Sequence, residues 1–179
     1  MADTRFSSFP RTLPPPSFVP EIVAVFRDHA TQIGTNTLEK GLTSDGVLLV
    51  LRDQLIGLKF EVESSKKKID KIKRPVFFGE NGRPALQYEV DAYHPAWRCG
   101  LEIEAGRAWM GNAVYRDLIQ ALIMVNLDHL VLAVPNTYKY LSNGKRSISH
   151  DYGNTIAVAD AIYGHSRILM PFGLTVLGY

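Results

Sequence analysis

Gln87-Tyr88-Glu89-Val90-Asp91-Ala92-Tyr93-His94-Pro95-Ala96-Trp97-Arg98-Cys99-Gly100-Leu101-Glu102-Ile103-Glu104-Ala105-Gly106-Arg107 is the stretch whose reading decides the fold. It reads as two short strands joined by a turn. Alternate side chains of a strand share a face. Glu89 and Asp91 therefore fall on one face of the first strand, with Tyr88 and Val90 on the other. In the second strand Glu102 and Glu104 share a face, and Leu101 and Ile103 point the opposite way. Four carboxylates then gather on one side of a two-stranded ribbon whose other side is apolar. Like charges this close repel and take up protons unless something positive sits among them. A hard divalent cation, which takes oxygen ligands, meets that need.

Upstream, Leu58 to Glu63 alternates apolar and charged residues and reads as a strand with Glu61 and Glu63 outward, two further carboxylates able to approach the cluster. The chain's one dense basic run follows: Lys66, Lys67, Lys68, Lys71, Lys73 and Arg74. Such residues hold phosphates and make the binding salt-sensitive. Val76 to Phe78 and Ala85 to Tyr93 flank Gly79-Glu80-Asn81-Gly82-Arg83-Pro84, a turn signal that predicts a hairpin. Downstream, Val114, Leu118, Ala121, Leu122 and Val125 recur at helical spacing. Leu130 to Val134 is a continuous apolar run ended by Pro135, which predicts a buried strand parallel to a neighbour across the helical crossover.

The ends say less. Pro10, Pro14, Pro15, Pro16 and Pro20 suggest that residues 1–20 are a proline-rich arm preceding a single domain over 21–179. Ile22, Val25, Phe26 and Ile33 predict a helix that Gly34 stops, and Thr43-Ser44-Asp45 offers capping chemistry for a second one. Residues 136–151 read as a polar surface loop in which Tyr138, Tyr140, Lys145 and Arg146 are the types that stack on bases and hold phosphates. A helix over 155–162 and a closing strand over 174–177 complete the chain.

At 179 residues, 46% of them hydrophobic and 21% charged, the chain suits one domain with a sizeable core. A net charge of +2 means that nucleic-acid binding must rest on local patches. One cysteine, Cys99, excludes an internal disulfide and a cysteine-rich zinc site. No apolar run reaches the length of a membrane span and the N-terminus does not resemble a secretion signal, so the expectation is a cytoplasmic protein with no membrane partner. His94, His129, His150 and His165 are scattered without metalloprotease spacing, and adjacent Ser149-His150-Asp151 side chains diverge rather than relay. A small-molecule hydrolase ranks low on those grounds.

Hairpin, acidic strand, helix and buried strand, in this order, resemble the core of the PD-(D/E)xK nuclease superfamily. Asp91 matches the aspartate at the end of the second core strand. Glu102-Ile103-Glu104 matches the (D/E)xK tripeptide, with glutamate in place of lysine. The segment from Gly100 to Arg107 looks like the corresponding strand in the BglII and BamHI group of type II restriction endonucleases. Val90 stands where the motif has proline. The resemblance implies an α/β fold of the mixed α+β kind, with a restriction-endonuclease-like α-β-β-β-α-β core. N-terminal helices and an added C-terminal helix and strand would surround it.

What the resemblance implies for function is a Mg²⁺-dependent endonuclease hydrolysing DNA phosphodiester bonds, of the type II restriction kind, with Mn²⁺ as substitute. Asp91, Glu102 and the Ile103 carbonyl would hold the ion, and Glu104 would take the lysine's place. Glu61, Glu63, Glu89 and Arg107 are supporting candidates. Lys66, Lys67, Lys68, Lys71, Lys73, Arg74, Lys145 and Arg146 are the nucleic-acid-binding candidates. The implied partner is double-stranded DNA bound by a homodimer. The lost lysine keeps an alternative open, a catalytically inactive nuclease-like module that binds DNA or protein.

Overall fold

Apolar runs rich in Val, Leu and Ile form the central strands, and amphipathic stripes form the helices that cover them. The computed structural model describes residues 4–35, 41–65, 67–106, 108 and 111–179. In chain order the elements are β1 (Arg5–Phe9), α1 (Val19–Asp28), α2 (Ala30–Ile33), α3 (Ser44–Gly57), β2 (Glu61–Val62), β3 (Ile72–Phe78), β4 (Pro84–Val90), β5 (Ala92–His94) and β6 (Cys99–Ile103). They continue as α4 (Ala113–Ile123), β7 (His129–Val134), β8 (Tyr138–Ser142), β9 (Lys145–Ser149), α5 (Asp151–Gly164) and β10 (Gly173–Gly178).

The main sheet is mixed, in the order β1-β10-β7-β6-β5-β2. β6, β7 and β10 run parallel, with α4 carrying the crossover between β6 and β7, as the apolar run before Pro135 predicts. β1, β5 and β2 join antiparallel. Two cores lie on its faces. On one, Ile22 and Phe26 of α1 and Leu51 and Leu55 of α3 pack on Leu101, Ile103, Val131 and Leu177. On the other, Val114 and Leu118 of α4 and Val158 of α5 pack on Leu130, Leu132, Leu174 and Val176. Each fully buried Leu or Ile contributes roughly 1.5–3 kcal/mol of transfer free energy. α3 is capped as its sequence promises, Thr43 Oγ1 accepting the Gly46 N–H at 3.2 Å.

Several expectations give way. Residues 5–9 of the presumed arm form the edge strand β1, and Phe9 is buried in the second core. The expected strand over 58–63 is only Glu61–Val62, because Leu58 caps α3 and Lys59 turns back at φ 76°. The predicted hairpin exists as β3–β4, but it forms its own two-stranded sheet. The expected helical stripe is α4, Ala113–Ile123, which ends before Val125. The presumed loop over 136–151 is a second hairpin, β8–β9, turning at Asn143 and Gly144, both with positive φ. That pair of residues suits a two-residue hairpin turn.

Candidate active site

Glu102 lies in β6 opposite Leu132 of β7, and Leu132 belongs to the core under α4. Its neighbours Leu101 and Ile103 belong to the opposite core. Alternation therefore turns Glu102, and Glu104 two residues on, toward α4. Asp91 sits at the bend where β4 ends and β5 begins. Its Oδ2 accepts the Ile103 N–H at 2.8 Å, and its backbone carbonyl accepts the Glu63 N–H at 2.9 Å. The Ile103 carbonyl shares its N–H side of the strand, away from β7.

The fourth carboxylate of the cluster is Asp117 of α4, which the sequence reading passed over. α4 buries Ala113, Val114, Asp117, Leu118 and Ala121, so Asp117 occupies a position of the apolar stripe. A charged residue at such a position is the signal that could have found it. Arg116 donates from Nη2 to Glu104 Oε1 at 2.7 Å and from Nε to Asp117 Oδ1 at 2.9 Å. Asp117 Oδ2 is buried with no hydrogen bond of ordinary geometry.

Asp91, Glu102, Arg116 and Asp117 border a cleft of about 450 Å³ that Glu63, Lys71 and Glu89 also line; Glu104 lies behind Arg116 and does not line it. Burial, with the charges of Glu63 and Asp117, pushes Asp91 up to about 6 against the Ile103 hydrogen bond. Burial pushes Glu102 well above the usual carboxylate range, and Asp91, Asp117 and Glu104 push it further. Glu104 rises to about 8, through burial first and then the Asp117 carboxylate, with Arg116 opposing. Burial also raises Asp117 in spite of Arg116. All four shifts run the same way, so the cations in contact do not balance the cluster.

The supporting candidates divide. Glu63 lines the cleft and pairs with Lys71, so Lys71 faces the cluster from β3's leading edge. Glu89 is exposed on the cleft wall, opposite Lys73 in the β3–β4 ladder. Glu61 is exposed and does not line the cleft. Arg74 stacks over the Tyr93 ring at 3.7 Å and is half-buried, which fits packing better than phosphate contact. Lys67, Lys145 and Arg146 are exposed. Lys66, Arg107 and the side chain of Lys68 lie outside the described residues. The histidines sit apart: His94 accepts the Trp97 N–H at 3.0 Å, and His129 lies 2.9 Å from the Thr175 hydroxyl with burial pushing it down to about 4.

Among the described residues no three His, Cys, Asp or Glu side chains stand arranged to hold a metal ion. The donor set is nonetheless one of hard oxygens. Four carboxyls with raised proton affinity, Glu104 and Asp117 close enough to share a proton, are donors of the type a hard cation takes. Their oxygen donors are of the type that Mg²⁺ or Mn²⁺ takes.

No family model matches the chain, and no curated protein matches it. Among solved structures, the chain is similar to restriction endonuclease BglII complexed with a DNA 16-mer, with a TM-score of 0.54 at 10% identity. The likeness covers 98% of this chain and 75% of that one. The fold is restriction-endonuclease-like. Within this restriction-endonuclease-like fold the acidic cleft opens beside β6, between the β3–β4 hairpin and α4. Among the described residues no helix is long and apolar enough to cross a membrane.

Proposed function

We propose that this chain is a divalent-cation-dependent endonuclease that hydrolyses phosphodiester bonds of double-stranded DNA, of the PD-(D/E)xK type. One observation carries the reading: Asp91, Glu102 and Asp117, from the β4–β5 bend, β6 and α4, meet around one cleft, with Glu104 reaching it through Arg116, and every proton affinity is raised. Clusters of desolvated carboxylates with raised proton affinity in a cleft are concentrated at functional sites. The likeness of fold to a restriction endonuclease supports the same reading.

Asp91 and Glu102 would hold the cation, with the Ile103 carbonyl as third donor. When bound, Mg²⁺ or Mn²⁺ supplies Lewis-acid polarisation of a phosphoryl oxygen and lowers the pKa of water. The Ile103 N–H fixes one oxygen of Asp91 and leaves the other for the ion. Glu104 stands where the motif has lysine and takes the proton of the attacking water. A carboxylate offers no positive charge to phosphate. Arg116, bonded to Glu104, and Lys71, beside Asp91, supply it. A twofold dimer belongs to the proposal, and Tyr115, Ile119 and Ile123, exposed every fourth residue along α4, give it an apolar stripe to use. A cytoplasmic setting follows from DNA as substrate and suits the free thiol of Cys99.

A second reading, a module that holds DNA without cutting, is favoured by Glu104, a carboxylate where the motif has lysine. Supercoiled plasmid incubated with Mg²⁺ or Mn²⁺ separates the two. Nicking that Glu102→Gln abolishes supports the endonuclease; no nicking by either protein leaves the binding module.

A further inference from the structure

The β8–β9 ribbon has a place in the fold but no role in the acidic cleft. Among the described residues it pairs with no other strand. Over 136–149 the sequence carries Lys139, Lys145 and Arg146 and no carboxylate. Its tip, Ser142-Asn143-Gly144-Lys145-Arg146, is exposed throughout. Leu141 and Ile148 are 73% and 58% exposed on one of its faces, a poor arrangement for a ribbon meant to lie against water. Its base is anchored beside the catalytic strand. Tyr138 packs so closely on Gly106 that a Cβ there would lie 2.7 Å from the ring. Tyr179 donates its hydroxyl proton to the Glu104 carbonyl at 2.8 Å, and both tyrosines line a cavity of about 820 Å³ between ribbon and strand ends.

The geometry points to the β8–β9 ribbon as the base-reading element of this protein, entering the major groove of the duplex whose backbone lies over the acidic cleft. This rests on the DNA reading of that cleft. The major groove admits a two-stranded β-ribbon. At the tip Asn143 has the donor–acceptor pair that matches an adenine edge, and Lys145, on the ribbon face of Tyr138 and Tyr140, has the donors that match guanine O6 and N7. Lys139 and Arg146, on the same face as Leu141 and Ile148, sit toward the flanking phosphates. Five ribbon residues at about 3.4 Å each reach roughly 17 Å beyond Gly106.

The test is selection from a randomised duplex library by the full chain carrying Glu102→Gln, with and without Asn143→Gly and Lys145→Ala. Asn143→Gly keeps the positive-φ turn while removing the side chain. We expect the parent to select a sequence, and each tip substitution to relax preference at one or two positions by about 5- to 150-fold with the melting temperature unchanged. Equal preference in parent and variants, or a loss uniform across all sequences, overturns the assignment, because phosphate contacts weaken every sequence alike. Absence of DNA binding overturns it too. If selection behaves as expected but the unmodified chain cuts nothing, the ribbon assignment stands and the endonuclease reading fails. If the chain cuts with no dependence on the tip, the reverse holds.

Discussion

Asp91 Oδ2 accepts the Ile103 backbone N–H at 2.8 Å, so the acidic residue at the β4–β5 bend is tied to the strand that carries Glu102. Two functions of Asp91 can thereby be separated. Asparagine keeps a carbonyl oxygen for Ile103 but gives up the charge. Alanine loses both, leaving a buried N–H unpaired at a cost of about 1–3 kcal/mol. Asp91→Asn should hold its melting temperature and lose cleavage by at least about 100-fold, whereas Asp91→Ala should lose both. Thermal melts and plasmid nicking on the same preparations check this; equal melting temperatures for both variants would mean the hydrogen bond is idle.

Asp117 raises Glu104 by proximity while competing with it for Arg116. Asp117→Asn removes the charge, so Glu104 should ionise at lower pH. If Glu104 takes the proton of the attacking water, cleavage rises with pH as it ionises. The acid limb of the rate profile should then move to lower pH in Asp117→Asn, while Glu104→Gln should flatten that limb and cut the rate. Rates measured from pH 5.5 to 9.5 read both. An unmoved acid limb in Asp117→Asn removes Asp117 from the site.

The sign of the stability change follows from the same shifts. Asp91 at about 6 and Glu104 at about 8 bind protons more tightly when folded than when unfolded. The stability these protonated groups lend is fully present below their unfolded values and is lost as pH rises through 6 and 8. Without divalent cations the melting temperature should fall by on the order of 5 °C between pH 5 and pH 8.5, after discounting for partial exposure. Adding Mn²⁺ should restore it, since binding to the folded state alone stabilises by mass action. Glu102→Gln should raise the cation-free melting temperature and abolish the Mn²⁺ effect. A flat melting temperature across this range would mean the carboxyls are not protonated as the cleft requires.

What the sequence shows and what it hides follow one rule. Glu102 is legible because strand alternation places side chains locally; the expected ribbon of four carboxylates is not there, since Glu89 lies in β4 paired with β3 and Asp91 reaches the cleft from the bend between β4 and β5. Glu102 and Glu104 do turn to one side, and the crossover from β6 through α4 to β7 is visible in the apolar runs. Asp117 and Arg116 are brought in by the packing of α4 on the sheet, so only the break in the helix's apolar stripe betrays them. β1 is hidden by the prolines that follow it, whose message concerns residues 10–20 and not residues 5–9. The ribbon over 138–149 carries its turn signal openly in Asn143-Gly144, but serines and lysines in place of apolar alternation make its strands read as loop.

Gly106 links the site to the ribbon, and its replacement should disturb both. It sits at φ +88°, two residues beyond Glu104, with Tyr138 against the place a Cβ would occupy. An alanine meets two separate penalties: roughly 1–2 kcal/mol for the left-handed backbone, and the displacement of the Tyr138 ring. At about 2–4 °C per kcal/mol for a chain of this size, Gly106→Ala should melt roughly 3–8 °C lower. Cleavage should fall as the chain beyond Glu104 shifts. Tyr138→Ala in the same chain opens the space but leaves the backbone strain, so the double variant should recover only the steric part. A double-mutant cycle on melting temperature isolates that part as the coupling between the two residues. A coupling of zero would show that Tyr138 does not press on the Gly106 turn, and the ribbon would then lack its anchor beside the acidic strand.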